Sequence, residues 1–157
     1  MDTSELETAD RPVLDLAARV ADAEAGHGAA WGPGDVLAHL IINDRLISRA
    51  LRSVLEGAAE PYDNADAITP AELRVLAGEL GGPDRLAGGL AASSRELLEL
   101  AGRLDEAQAA TRLPVRIVDN GEVFIDRPIP VAGLLATQAR AHLPMHQRQL
   151  SELWGLP

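Results

Sequence analysis

Two histidines four residues apart, His142 and His146, open the search for chemistry in this chain. On a helix that spacing stacks both imidazoles on one face. A single ion can then be reached by both, through ring nitrogens at about 2.0–2.1 Å. The zinc proteases of the H-E-x-x-H type use the same spacing. Here Leu143, Pro144 and Met145 lie between, so the glutamate base of that mechanism is missing. His39 is the natural third ligand, because it sits between Ala38 and Leu40 on the apolar face of another helical stretch. Three neutral imidazoles leave positions free for water or substrate, as catalytic sites do. The competing reading makes the same three residues hydrogen-bonded core histidines, since a buried polar group needs a partner. His27 lies in a Gly-rich loop and is read as solvent-exposed.

Five segments have to position these residues. Val13, Leu16, Ala17 and Val20 mark a first helix from Pro12 to about Glu24, stopped at Gly26 and Gly28. Residues 1–10 are expected to be a flexible lead-in. A second helix follows Trp31–Gly34 and runs to about Glu56. Ala58 to Ile68 is a polar crossover. Thr69-Pro70-Ala71-Glu72 has the form of a capping box, which predicts a short helix over Pro70–Leu80. A third long helix is expected over Pro83–Gln108.

Val115–Val118 and Val123–Ile125 flank Asp119-Asn120-Gly121-Glu122, the pattern of a β-hairpin. The last helix spans about Val131–Leu153, with a kink expected at Pro144. Four amphipathic helices with a long connection predict an all-α, four-helix bundle. It carries a short crossover helix and a small hairpin before the last helix, and residues 1–157 form one domain.

Composition narrows the function. The 157 residues carry a formal net charge of −10, which disfavours nucleic acid and anionic membranes as partners. There is no cysteine, which excludes disulfides, zinc–thiolate sites and a cysteine nucleophile. No signal peptide or membrane span is visible, so a cytoplasmic location is expected.

Two motifs carry a resemblance. Trp31-Gly-Pro-Gly-Asp-Val-Leu-Ala-His39-Leu40 resembles the start of the second helix in the DinB/YfiT-like superfamily, where a Trp stands eight residues before a His-Leu pair. His142-Leu-Pro-Met-His146-Gln-Arg-Gln149-Leu150 resembles that superfamily's last helix, where His-x3-His is followed by Gln-Leu. The resemblance covers most of the chain. It implies a metal, nickel or zinc, held by His39, His142 and His146, and a homodimer. It also implies kinship with thiol S-transferases and isomerases that use mycothiol or bacillithiol. The Lys-free, Ala-, Gly- and Arg-rich composition suggests a high-GC genome, for which mycothiol would be the thiol.

Three functions stay open from sequence. The first is a metal-dependent transferase acting with a small thiol, whose thiolate is the nucleophile. The second is metal-dependent hydrolysis or isomerisation, with Asp35 or Asp44 as proton acceptor. Asp35 reads in preference as a carboxylate at a helix start, favoured by the dipole. The third is a non-enzymatic bundle that binds a small molecule or a partner. Asn43 and Gln138, one turn from His39 and His142, either face the substrate and metal or satisfy each other in the core. Trp31 is read as a packing residue at the bundle end.

Overall fold

The computed structural model describes residues 1–20, 31–81, 83–119 and 121–155. His27, Asn120, Gly82 and the expected end of the first helix lie outside them. The chain is mostly helical, with a small three-stranded sheet. The long helical runs are α1 (Ser4–Val20), α2 (Pro33–Leu55), α4 (Pro83–Arg103) and a C-terminal run. That last run comprises α6 (Val131–Thr137), a π-helical turn (Gln138–His142) and α7 (Leu143–Trp154). They enclose one apolar core built mainly of Leu, Ile, Val and Ala, including Val13, Leu37, Leu40, Leu51, Leu90 and Leu150. No helix among the described residues is long and apolar enough to cross a membrane.

α2 and α4 run in the same direction, since Ile41 lies against Gly89 and Asp44 bonds Ser93. A Cβ at Gly89 would come within 3.2 Å of Ile41 and Leu80, so glycine permits the close approach there. Parallel neighbours need a connection that travels back along the length of the helices. The crossover supplies it through β1 (Tyr62–Asp63), a 3-10 turn (Asp66–Ile68) and α3 (Pro70–Leu80). α3 ends at Gly81, in the left-handed region at φ 82°.

The structure corrects several sequence expectations. The expected flexible lead-in is helical from Ser4, because Leu6 and Asp10 face the core and the Met1 ammonium donates to the Leu104 carbonyl at 2.6 Å. The Thr69 capping box does not form: its hydroxyl donates to the Ala65 carbonyl at 2.9 Å instead. The third long helix stops at Arg103. Asp105 then caps the separate short helix α5 (Glu106–Ala110), accepting from the Gln108 N–H at 2.8 Å.

The hairpin is longer than predicted, pairing β2 (Arg112–Asp119) with β3 (Glu122–Pro130), with a register shift between Ile117 and Val118. Gly121 takes the left-handed conformation at φ 82° that such a turn requires. β1 adds in parallel to the hairpin, with Tyr62 opposite Val115, and so ties the crossover to it.

Candidate metal centre

His39, on α2, and His142 and His146, on the C-terminal run, converge between antiparallel elements. Their ring centroids lie 5.0 Å (His39–His142), 4.5 Å (His39–His146) and 4.5 Å (His142–His146) apart. One nitrogen from each falls within 4.8 Å of the others. Ligands at about 2.0–2.1 Å from one ion sit at most about 4.2 Å apart, so a small side-chain adjustment would close the triad on an ion. Three histidines that could hold a metal ion are therefore in place.

The hydrogen bonds behind the rings fix which nitrogens are free. His39 Nδ1 donates to the Ala67 carbonyl at 2.7 Å, leaving the Nε2 lone pair pointing at His142. His146 Nδ1 donates to Gln149 Oε1 at 2.8 Å, which likewise frees its Nε2. Acceptors behind metal-binding imidazoles commonly hold the ring and its tautomer in this way. His142 Nε2 lies 2.8 Å from His39 Nε2, while its buried Nδ1 has no partner among the described residues. Because His39 Nε2 carries no hydrogen, His142 Nε2–H is the donor in that contact, and an ion on His142 Nε2 would require the hydrogen to move to Nδ1.

All three rings are held neutral, the form that binds metal. Burial, then the charge of His146, lowers His39 to about 4 despite its bond to Ala67. Burial, with His146 and His39 as like charges, pushes His142 well below its ordinary value. His146 is lowered by burial, opposed by the Gln149 bond and the negative charge of Asp119 at the end of β2. Trp31 packs beside the site, its ring 5.1 Å from His39.

The other sequence candidates lie elsewhere. Asn43 Nδ2 donates to Gln138 Oε1 at 3.0 Å, so the two amides bond each other in the core. Tyr62 donates to Asn43 Oδ1 at 2.5 Å, and Gln138 donates to Asp44 Oδ1 at 3.4 Å. Asp44 is buried and also accepts from Ser93 at 2.9 Å. Asp35 accepts from the Gly32 N–H at 2.9 Å at the start of α2. Both carboxylates considered as proton acceptors are therefore engaged in the scaffold.

Sequence reasoning missed the Ala67 carbonyl, the holding role of Gln149, and Asp119. Gln149 was findable, because it stands three residues after His146 on the same helical face. A main-chain carbonyl leaves no mark in the sequence. Comparison with protein-family models, curated proteins and solved structures returns no match.

Proposed function

We propose that this chain is a metal-binding bundle of DinB/YfiT type, acting as a divalent-metal-dependent transferase with a low-molecular-weight thiol such as mycothiol. The observation that carries this reading is the convergence of three neutral imidazoles, two with Nδ1 hydrogens committed to acceptors behind them. The order and spacing of the Trp31–His39 and His142–Leu150 motifs support the family assignment.

His39, His142 and His146 would hold zinc or nickel, both suited to imidazole. The bound ion supplies one piece of chemistry, stabilising a thiol as thiolate at neutral pH. The chain's own residues do the rest. Ala67 and Gln149 orient two rings, burial keeps all three unprotonated, and Trp31 walls the site beside His39. The chain contributes no cysteine, so the reacting sulfur belongs to the substrate.

Elemental analysis of tag-free protein, wild type beside His142→Ala, tests the site. The expected result is about one zinc or nickel per chain, lost in the variant. Protein that takes up no metal even after reloading would leave the histidines as core residues and favour a non-enzymatic binding role.

A further inference from the structure

The Leu143 N–H donates to the Gln138 carbonyl, five residues back, so the C-terminal run widens into a π turn over Gln138–His142. Pro144 accounts for it. Proline has no N–H to give the Arg140 carbonyl, and in a regular α-helix its ring would strike that carbonyl. The widened turn relieves the clash. π turns are uncommon and cluster at functional sites. Here the surplus is carried on the outside, where Arg140 and Ala141 are exposed.

The turn also sets direction. In an unbroken α-helix, residues four apart step round by roughly 40°, so Gln138 and His146 would diverge by roughly 80°. A wider turn takes fewer degrees per residue and offsets that drift. All three side chains accordingly meet α2. Gln138 bonds Asn43 at 3.0 Å, His142 faces His39 at 2.8 Å, and the His146 ring lies 4.5 Å from that of His39.

We infer that Pro144 is a positioning residue for the triad: it holds open the π turn that aims His142 at His39. This rests on the reading of the triad as a metal site. The proline sacrifices a main-chain hydrogen bond to keep a ligand in line.

Pro144→Ala tests it. Alanine restores an N–H for the Arg140 carbonyl and lets the helix close. The metal-free variant is expected to melt above the metal-free wild type, yet to bind zinc at least about tenfold more weakly, as when support behind a ligand is lost. With cobalt in place of zinc, its visible absorption is expected to shift. A crystal structure should show the Leu143 N–H moved from the Gln138 to the Ala139 carbonyl.

A proline with a merely structural role would lower stability and binding together, and that result overturns the inference. So does unchanged zinc affinity, or weaker binding with the π turn intact. Wild-type protein that binds no zinc would remove the metal-site reading itself, and this inference with it. Wild type that binds while Pro144→Ala binds equally removes the positioning role alone.

Discussion

His146 reaches the triad with its ring held by the Gln149 side chain, through the bond from Nδ1. Gln149→Leu keeps the side chain's bulk and removes the acceptor. Zinc affinity is then expected to fall by about tenfold to a hundredfold, read by competition with a chelating dye. The melting temperature of the metal-free protein should move little, because Gln149 is only half-buried. An unchanged affinity would mean that packing alone orients His146. At this scale the sequence was informative where side-chain spacing carries the geometry. His142 and His146 share a face by their separation, and His39 joins them through its place in an apolar stripe. It was silent where the main chain acts, as at Ala67. It left Asn43 and Gln138 undecided, because a polar residue on an inward face looks the same whether it meets a substrate or another amide.

The crossover is the element that joins the site to the sheet. Asn64 is buried; its Nδ2 donates to the Val118 carbonyl at 2.9 Å and its Oδ1 accepts the Val118 N–H at 2.8 Å. Three residues on, the Ala67 carbonyl holds His39. One short segment thus pins the end of β2, next to Asp119, and one ligand ring. Asn64→Ala would leave two buried main-chain groups unpaired, at a cost of about 2 kcal/mol in urea unfolding. A loss below about 0.5 kcal/mol, the scale of ordinary surface substitutions, would show that water replaces the amide. The long helices and α3 were legible because their apolar residues repeat with the helical period, and Pro70 and Gly81 mark the ends of α3. β1 was not legible. Two residues, Tyr62 and Asp63, carry no alternation, and their strand character comes entirely from pairing with Val115 and Arg116. The π turn was half-legible: Pro144 announced a disturbance, but the sequence could not distinguish a kink from a widened turn.

The whole molecule buries titratable groups of opposite kind, and its stability should follow them. Asp44 is driven up from 3.8 to about 8, chiefly by burial, with Asp10 as a like charge and the Ser93 bond opposing. Asp10 is raised too, by burial against its bond to Ser94. Between pH 4 and 8 the folded protein keeps a proton on Asp44 that the unfolded chain gives up, so stability falls as pH rises through this window. The histidines act the other way. His39 ionises at 6.5 when unfolded and at about 4 in the fold, so stability falls as pH drops from 6.5 towards 4. His142 and His146 are lowered in the same sense. Below pH 6.5 the two effects oppose each other; above it the Asp44 effect remains and the metal-free protein should weaken. From pH 6.5 to 8 the loss attributable to Asp44 should be about 1–2 kcal/mol, measured by urea unfolding in the presence of a chelator. Asn resembles the protonated acid in shape and offers one acceptor oxygen. Asp44→Asn should therefore flatten the alkaline limb and steepen the acidic, histidine-driven limb, where the opposing Asp44 effect is removed. If the slope above pH 6.5 survives the substitution, the carboxyl is ionised within the fold. The Ser93 and Gln138 hydrogen bonds would then be strong enough to hold a buried charge that burial alone would expel.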